Sequence, residues 1–351
     1  MRIPTAVLGA TGYVGGELLR LMHGHPAFEL TAAVSESRGG EPVGAVFPHL
    51  GSAWPDLRFS RPGDWLEALD RGTDLALFSA SPHGASAAQV ARALEAAASR
   101  NLRVHVVDSS ADFRFPDAAA WQQVYGEEHA AAALLDQFRC AVPEHAGGTD
   151  RAHVGHPGCF ATAILLAAVP LVAAGVTNTP LFAAGVTGST GSGRSPQTGT
   201  HHPERHSNFY AYKPLTHRHV PEVETLIANA CGRGASVRFI PHSGPFARGI
   251  HVTLQAGLAD AMHTDDLRQA FSEYYRDAEF VRIVDGTPRL KDVVASNYCH
   301  IGVAVHDGSV VVMSVIDNLV KGAAGGAVQW MNRLWKLPDT SGLLAAAPAW
   351  T

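Results

Sequence analysis

The sequence predicts an α/β protein with two domains: an N-terminal doubly wound parallel sheet and a second, α+β domain with a mainly antiparallel sheet. Three observations predict this architecture. Strand-like and helix-like segments alternate over residues 1–115, and a glycine-rich turn follows the first strand. From about Val154 several strand-like runs follow one another with few helices between them. The length of 351 residues allows two domains, each with its own buried core.

Apolar periodicity places the elements of the N-terminal part. Strand-like runs occupy 5–8, 28–34, 75–79 and 104–107. Helix-like stretches occupy 16–22 and 85–98, and in the first of these Leu18, Leu19 and Met22 share one face. Strands that alternate with helices are joined by right-handed crossovers and form a parallel sheet. The N-terminal part is therefore predicted to be Rossmann-like.

The pattern changes in the second part of the chain. An apolar helix is predicted over 160–172, and the last helical segment covers 321–334. The strand-like runs between them lie at 181–186, 237–240, 250–256, 301–305 and 310–316. Because regular helices do not separate all of these runs, an antiparallel sheet is favoured.

Composition and charge limit the possible partners. The formal net charge of −5 and a pI near 6.4 argue against nucleic acid or an anionic membrane as the main partner. No apolar run is long enough to cross a membrane, and the first glycines come too early for a signal peptide. Four cysteines without a CxxC pair do not make a disulfide scaffold. We therefore expect a cytoplasmic protein.

A glycine-rich turn lies directly between the first strand and the first helix. Such a turn lets backbone amides approach a pyrophosphate at the positive end of a helix. The spacing is GxxGxxG, which only approximates the dinucleotide-binding fingerprint, so a turn without a ligand is the alternative. The candidate cofactor-binding residues of this turn are Gly9, Thr11, Gly12, Tyr13, Val14 and Gly15.

The residues after the second and third strands indicate which dinucleotide binds. Arg38, with Ser35 and Ser37, is suited to the 2′-phosphate of NADP, whereas Glu36 is suited to the ribose hydroxyls of NAD. The arginine and the hydroxyls favour NADP. Ser81 and Pro82 follow the third strand, where the cofactor is expected to cross the edge of the sheet, although an ordinary loop there is an equal alternative.

Cys159 is the most informative single residue. It follows Pro157 and Gly158 and begins the apolar helix, so the helix dipole and free amides favour its thiolate. A thiolate in this place can attack a carbonyl, and the same amides can hold the developing oxyanion. The alternative, a small buried apolar residue, is how we interpret Cys140, Cys231 and Cys299.

A base for this nucleophile is predicted in the segment 216–222. His217 and His219 flank Arg218, and Glu222 is placed to orient a side chain or to contact substrate. A second glycine-rich loop at 187–194, which includes Ser189, Gly191 and Arg194, could contact a nicotinamide or a phosphate through its amides. For any one histidine, a solvent-exposed loop position is the alternative.

These motifs together resemble the N-acetyl-gamma-glutamyl-phosphate reductases of arginine biosynthesis, within the wider semialdehyde dehydrogenase group. The resemblance runs nearly end to end, and the cysteine, HRH and DNLVKG motifs are specific in this order. The matching segments are GATGYVGG (9–16), SADFR (110–114), AVPE (141–144), HPGCFATA (156–163), GSGRSP (191–196), AYKPLTHRHVPEVE (211–224) and DNLVKGAAG (317–325).

The resemblance implies a role for each motif. Cys159 is the nucleophile, His219 the acid/base, and His217 and Glu222 lie close to the substrate. Further residues implied are Arg114 for the substrate's phosphate or carboxylate, Arg194 for substrate, and Asn318 for the nicotinamide. The resemblance also implies reduction with NADPH, no metal, and a homodimer or homotetramer. The NADP-binding domain covers 1–155, with the segment 318–351 packing back on it, and the catalytic and dimerisation domain covers 156–317.

Other interpretations remain open at this stage. The segment 200–205 resembles the sister enzymes of lysine biosynthesis, which reduce an N-acylated aminoadipyl phosphate, whereas Gly193 and Arg194 resemble the arginine branch. A metal-dependent hydrolase is a remote alternative from another class, as is a non-enzymatic NADP sensor. The histidines available to the hydrolase are His201, His202, His206, His217 and His219.

Overall fold

The computed structural model describes residues 2–148, 150–177 and 179–350. The elements of the first half are β1 (Ile3–Leu8), α1 (Tyr13–His23), β2 (Phe28–Val34), α2 (Val43–Val46), β3 (Phe59–Ser60), β4 (Asp74–Ser79), α3 (Ser86–Ser99), β5 (Arg103–Asp108), α4 (Ala118–Tyr125), β6 (Phe138–Cys140) and β7 (His153–Gly155). Those of the second half are α5 (Cys159–Ala174), β8 (Leu181–Thr187), α6 (His202–Arg205), β9 (Tyr210–Ala211), α7 (His219–Cys231), β10 (Val237–Ser243), β11 (Ile250–Gly257), α8 (Thr264–Tyr274), β12 (Val281–Ile283), β13 (Cys299–His306), β14 (Ser309–Ile316) and α9 (Gly325–Leu334).

The chain divides into two compact units. The first comprises the described residues of Met1–Cys140, Gly148–His156 and Ala324–Leu344. The second comprises those of Ala141–Gly147, Pro157–Ala323 and Ala345–Thr351. No helix within the described residues is long and apolar enough to cross a membrane.

The first unit is built on a parallel sheet, as predicted. Its strands lie in the order β3-β2-β1-β4-β5-β7-β6, and every neighbouring pair is parallel. β1 pairs with β2 on one side and with β4 on the other, so strand order reverses between β1 and β4. In open α/β sheets, ligands bind at the carboxyl ends of the strands beside such a reversal. The glycine-rich turn after β1 lies at this position.

Helices pack on this sheet through their apolar faces. Val90, Ala93 and Ala97 of α3 are buried in the core of the unit against Leu75 and Val106 of the sheet. α9 packs on β5 and α1, so the C-terminal helix belongs to the first unit. Burial of these apolar faces supplies the main favourable free energy for the layered arrangement.

The second unit contains a mixed sheet in the order β12-β13-β14-β11-β8-β10-β9. Antiparallel pairs predominate and include β13–β14, β11–β14 and β8–β11, which confirms the predicted mainly antiparallel sheet. Two pairs, β8–β10 and β12–β13, are parallel. The connection from β8 to β10 includes α7, and helical crossovers of this kind bring strands into parallel register.

α5 is the central helix of the second unit. All its residues from 160 to 172 are buried, and it packs on β11, β14 and α7. A helix that is apolar on every side is buried on every side, which its sequence predicts. The burial fixes the beginning of the helix, where Cys159 lies.

One face of the second sheet is exposed around β8 and β10. Phe182 and Ile240 are 56% and 38% exposed. Phe182 pairs with Arg238 on one side and with Gln255 on the other, so these side chains lie in one row across the sheet. Ile240 pairs with Ala184, two residues after Phe182 on β8, so the two exposed apolar side chains lie on the same face of the sheet.

Candidate active site and cofactor site

The glycine-rich turn has the geometry of a pyrophosphate cradle. Gly9 has a φ of +67°, and a Cβ on it would lie 2.7 Å from the backbone of Ala80 and Ser81, so only glycine fits. At Gly12 a Cβ would meet only the Gly9 carbonyl oxygen, at 3.7 Å. Gly12 is also the N-cap of α1, so no side chain covers the first N–H groups of the helix. The residues present therefore fit a dinucleotide pyrophosphate, with Thr11, Tyr13 and Val14 half-buried around it.

In the turn after β2, Glu36 and Arg38, the two candidate contacts for the cofactor ribose, have different partners. The side chain of Gln89 donates to the Glu36 carboxylate at 3.2 Å and accepts from the Ser81 hydroxyl at 2.6 Å. Arg38 is exposed and pairs with Glu41 at 3.0 Å. Ser35 is buried, and its hydroxyl accepts from the Arg38 backbone N–H at 3.2 Å. Ser35 therefore shapes the turn that presents Arg38, and Glu36 is held by Gln89. Pro82 lies at the surface.

Cys159 is the first residue of α5, as predicted, and Gly158 is its N-cap. The Gly158 backbone N–H donates to the Glu222 carboxylate at 2.7 Å. Glu222 is 1% exposed and lies in the first turn of α7. This hydrogen bond joins the beginnings of the two helices that carry Cys159 and His219. The first N–H groups of α5 and the helix dipole favour a thiolate at Cys159.

The two histidines of the HRH motif lie together at the beginning of α7. Both are buried, and their ring centroids are 4.7 Å apart. The His219 backbone N–H donates to Nδ1 of His217 at 3.2 Å, which assigns the ring hydrogen of His217 to Nε2. Burial, and then the charges of Arg218 and Lys213, lower the pKa of His217 to about 4. His217 is therefore neutral near pH 7 and presents one N–H donor.

Two further contacts define the surroundings of the cysteine. The ring of Phe160, next to Cys159, lies edge-on to His217 with centroids 5.9 Å apart. On the other side, a Cβ on Gly322 would lie 2.7 Å from Cβ of Cys159. Gly322 lies in a π-helical turn, Val320–Ala324, and such turns are frequent at functional sites. The glycine is required there by the close approach of Cys159.

Tyr212 and the pair Glu144–Lys321 were not identified from the sequence. The Tyr212 ring lies 5.8 Å from that of His217, and burial, followed by the Cys159 charge, raises the pKa of its hydroxyl. The Lys321 ammonium donates to Glu144 at 2.5 Å, and both side chains are almost fully buried. All three lie in segments that carry the family resemblance, which was the signal available.

Asn318 connects the second glycine-rich loop to the end of β14. Its side-chain N–H group donates to Thr190 at 3.0 Å, and its oxygen accepts from the Gly249 backbone N–H at 2.7 Å. Asn318 is 2% exposed, whereas Ser189 is half-buried and Gly191 is exposed. The predicted contact of Asn318 with a nicotinamide stays a prediction. In this structure its contacts hold the loop in place.

The two arginines predicted to bind substrate have different environments. Arg114 is 6% exposed and lies in the first unit, where its guanidinium donates to the carbonyls of Ser109 and His156, each at 2.9 Å. Those two bonds use two of the five N–H groups of the guanidinium. Arg194 is exposed in the loop after β8. The substrate-binding roles of both residues stay predictions.

The remaining histidines do not form a metal centre. His202 and His206 have ring centroids 5.1 Å apart and are exposed, as is His201. Across residues 2–148, 150–177 and 179–350, no three or more His, Cys, Asp or Glu side chains are grouped to hold a metal ion. The metal-dependent hydrolase interpretation therefore has no ligand set in that part of the chain.

Comparison with known proteins identifies the family to which the chain is similar. The family model for the semialdehyde dehydrogenase NAD binding domain matches residues 4–172, and that for the dimerisation domain matches 159–318. A protein of Methanopyrus kandleri named N-acetyl-gamma-glutamyl-phosphate reductase is 40% identical over 97% of this chain and 98% of its own. A protein of the same name from Symbiobacterium thermophilum is 42% identical, with both chains covered in full.

Solved structures show the same fold at much lower identity. Aspartate semialdehyde dehydrogenase II from Vibrio cholerae, in complex with ASA, superposes with a TM-score of 0.67 at 15% identity, over 96% of this chain and 99% of that one. The aspartate semialdehyde dehydrogenase of Candida albicans with NADP gives 0.68 at 16% identity, with the same coverage. These matches support the architecture of both units.

Proposed function

Because the chain belongs to the family of N-acetyl-gamma-glutamyl-phosphate reductases, we propose that it reduces N-acetyl-gamma-glutamyl phosphate to N-acetyl-L-glutamate 5-semialdehyde. Phosphate is released and NADPH is the reductant. The observation that carries the proposal is the position of Cys159 at the beginning of α5, where Glu222 joins it to the helix that begins at His219. Covalent acyl transfer needs an activated thiol and an acid/base group, and the two joined helices carry a cysteine and histidines at their beginnings.

In the first step the Cys159 thiolate attacks the acyl carbon of the acyl phosphate. A carbon–sulfur bond forms and the carbon–oxygen bond to phosphate breaks, leaving a thioester on Cys159. The first N–H groups of α5 face the oxygen that becomes negative during attack and stabilise it. The Gly158 N–H is already donated to Glu222, so the amides that follow it serve this role.

The second step reduces the thioester. The nicotinamide cofactor, when bound, supplies a hydride for the thioester carbon. His219 acts as the acid/base at the oxygen of the resulting hemithioacetal: it donates a proton there and takes it back as the carbon–sulfur bond breaks. The aldehyde leaves and the Cys159 thiolate is restored. His217, neutral with its N–H on Nε2, donates a hydrogen bond to substrate.

The choice of NADP over NAD rests on the turn after β2. Gly9, Gly12 and Gly15 would hold the pyrophosphate, and the ribose next to the adenine would then lie at the carboxyl end of β2. Arg38 is exposed there, whereas Glu36 is held by Gln89. An exposed guanidinium at this position favours a 2′-phosphate.

Two further properties belong to this proposal. We propose that two copies associate through the exposed sheet face around Phe182 and Ile240, because a face with large apolar side chains gains by being covered. A tetramer would pair two such dimers. None of the four cysteines, all of which lie within the described residues, forms a disulfide bond, which also supports the cytoplasm as the compartment.

A reverse-direction assay tests the reaction and the substrate together. Purified protein is given phosphate, NADP⁺ and either N-acetylglutamate semialdehyde or its one-carbon-longer aminoadipate homologue, and NADPH is measured by absorbance. We expect turnover with the glutamate compound, dependent on phosphate. Cys159→Ser abolishes it, while Cys231→Ser, at the far end of α7, is close to wild type. A preference for the longer compound would instead assign the chain to the lysine-type reaction, and an active Cys159→Ser variant would exclude the thioester.

A further inference from the structure

The short edge strand β3 brings a second arginine to the turn that carries Arg38. β3 is parallel to β2, and Val34 pairs with Ser60. The Ser35 backbone N–H donates to the Ser60 carbonyl at 3.0 Å. Because the carboxyl ends of parallel strands meet at the same edge of a sheet, Ser35 and Arg61 leave the sheet side by side. The backbone of Arg61 therefore lies at the edge of the sheet where the ribose beside the adenine is expected.

The backbone of the turn is shaped to receive the Arg61 side chain. A Cβ on Gly39, the residue after Arg38, would overlap Cγ of Arg61 and lie 3.4 Å from its Nε. The stem of Arg61 thus lies directly on the Gly39 backbone. The turn is also attached to β3, because the Gly40 N–H donates to the Phe59 carbonyl at 2.7 Å and the Phe59 N–H to the Glu41 carbonyl at 2.9 Å. These backbone bonds hold the turn in place against β3.

The charges of the turn leave this second guanidinium available. Arg38 is paired with Glu41, although both side chains are about half exposed. Within the described ranges no ion pair involves Arg61, and its side chain is exposed. Glu36 is held by Gln89. A phosphomonoester near pH 7 carries close to two negative charges, which one arginine already paired with a carboxylate does not balance.

We propose that Arg61 binds the 2′-phosphate of the dinucleotide together with Arg38 and so determines the preference for NADP over NAD. Guanidinium groups make charge-assisted, bidentate hydrogen bonds with phosphate oxygens, and NAD has no such oxygens at this position. The inference rests on the proposed function, because it assumes that the turn after β2 receives a 2′-phosphate. It adds a residue to that site which lies 23 positions beyond Arg38.

Binding measurements on the full-length protein test the assignment without catalysis. Dissociation constants for NADP⁺, NAD⁺, 2′,5′-ADP and 5′-AMP are measured by calorimetry for wild type, Arg61→Ala and Arg61→Lys. We expect Arg61→Ala to weaken NADP⁺ and 2′,5′-ADP by about tenfold or more, the range for a lost hydrogen bond to a charged group. NAD⁺ and 5′-AMP should change less than about twofold. Arg61→Lys should recover part of the lost affinity for NADP⁺, because a lysine keeps the charge but cannot make the bidentate hydrogen bonds of a guanidinium.

One further variant is a control and another is an independent test of the Arg61 position. Arg71→Ala removes an exposed arginine that precedes β4, at the opposite edge of the sheet, and it should leave the preference for NADP⁺ intact. Gly39→Ala keeps both arginines but displaces the Arg61 stem, so it should weaken NADP⁺ in the same direction as Arg61→Ala. Thermal unfolding shows that each variant is folded.

The outcomes separate this inference from the proposed function. A wild type that prefers NADP⁺, with Arg61→Ala either unchanged or weakened equally for both dinucleotides, overturns the role of Arg61 and leaves the reductase assignment intact. A wild type that binds NAD⁺ as tightly as NADP⁺ overturns both the role of Arg61 and the choice of NADP. Selective loss of the 2′-phosphorylated ligands supports the inference.

Discussion

The Glu222 carboxylate accepts a 2.7 Å hydrogen bond from the backbone N–H of Gly158, one residue before Cys159. The two residues are 64 positions apart, and the bond joins the first turn of α7 to the N-cap of α5. A buried carboxylate that holds a backbone N–H fixes the approach of the chain to the helix. The position of Cys159 relative to α7 therefore depends on Glu222.

The first prediction tests that dependence. Glu222→Leu leaves the Gly158 N–H buried without its acceptor, which should lower the free energy of unfolding by roughly 1–3 kcal/mol. We expect kcat to fall at least tenfold as well, whereas Glu222→Gln, whose amide oxygen can accept the same bond, retains most stability. Urea unfolding and steady-state rates measure both effects.

Glu224 of the same helix is the matched control. It accepts the Val237 backbone N–H at 2.8 Å, away from the cysteine. Glu224→Leu should lose similar stability with little loss of kcat. If the two leucine variants lose activity equally, Glu222 has no special effect on the site.

The second prediction separates the two histidines. His219→Asn should lower kcat by roughly 10²- to 10⁴-fold, the range for general acid–base catalysis. His217→Asn should mainly raise KM, because a neutral donor to substrate contributes to binding. The pKa of His217 is about 4, so His217→Asn should leave the shape of the rate profile near neutral pH unchanged. The reverse pattern would exchange the two roles.

The third prediction concerns pH and the stability of the first unit. Asp108 is fully buried, and burial raises its pKa from 3.8 to about 6, although hydrogen bonds from Ser110 and Ser86 oppose the shift. The folded state therefore binds the proton more tightly than the unfolded state does. Stability from this group is present below pH 4 and is lost as the pH rises through 6, by up to about 3 kcal/mol.

Asp108→Asn should remove the loss of folding stability that the ionisation of Asp108 causes as the pH rises. The difference in unfolding free energy, variant minus wild type, should grow from pH 4 to pH 7, measured by urea unfolding at each pH. Taking the difference cancels buried histidines such as His153, whose pKa burial lowers to about 4 and whose effect has the opposite sign. A flat difference for Asp108→Asn would contradict the prediction.

The fourth prediction concerns the buried pair Glu144–Lys321. Lys321 also lies over the Phe280 ring, 5.7 Å from its centroid. Removing either charge alone, as in Lys321→Met or Glu144→Leu, leaves the other charge buried without a counter-ion. This should lower the free energy of unfolding by roughly 3–5 kcal/mol. The double variant should recover most of this, because a buried ion pair is often no more stabilising than apolar side chains of similar size. Additive losses in the double-mutant cycle would show that the two charges are independent.

The fifth prediction tests association through the exposed sheet face. Phe182→Glu places a charge in the middle of a row of side chains that we propose to be covered, so the dimer should dissociate at micromolar concentration. Light scattering after size-exclusion chromatography measures the mass. Leu344→Glu changes a residue of similar exposure, 62%, in the first unit and should leave the mass unchanged. A dimeric Phe182→Glu protein would place the interface elsewhere.

The sequence predicts those elements well whose position is determined by neighbouring residues, such as an apolar run between two turns. The second strand was expected at 28–34 and is observed at Phe28–Val34, because an apolar run between turns leaves little choice. Cys159 was expected to begin a helix and does. At the C-terminal end a helix was expected over 321–334, but a π-helical turn, Val320–Ala324, comes before α9. Periodicity does not distinguish that turn from an α-helix.

Contacts between residues far apart in the sequence could not be predicted from apolar periodicity or from the motifs. Glu144 and Lys321 are 177 positions apart, and nothing in either motif shows that the two charges meet. Arg61 follows a strand of two residues, too short to have a period, so its position beside Ser35 depends on sheet order. Such contacts are set by topology, which local propensity does not encode.

The hydrogen bond from the His219 backbone to Nδ1 of His217 has a consequence for inhibitor design. It leaves the imidazole with a single polar edge, a neutral N–H, across the pH range in which such compounds are assayed. If His217 contacts the substrate as we propose, a competitive inhibitor gains affinity by offering this edge a lone pair, as a carboxylate, a carbonyl or a sulfone does. Protonated amines bring a second donor to the same point and are disfavoured, so a screening collection can be sorted by this criterion before any compound is tested.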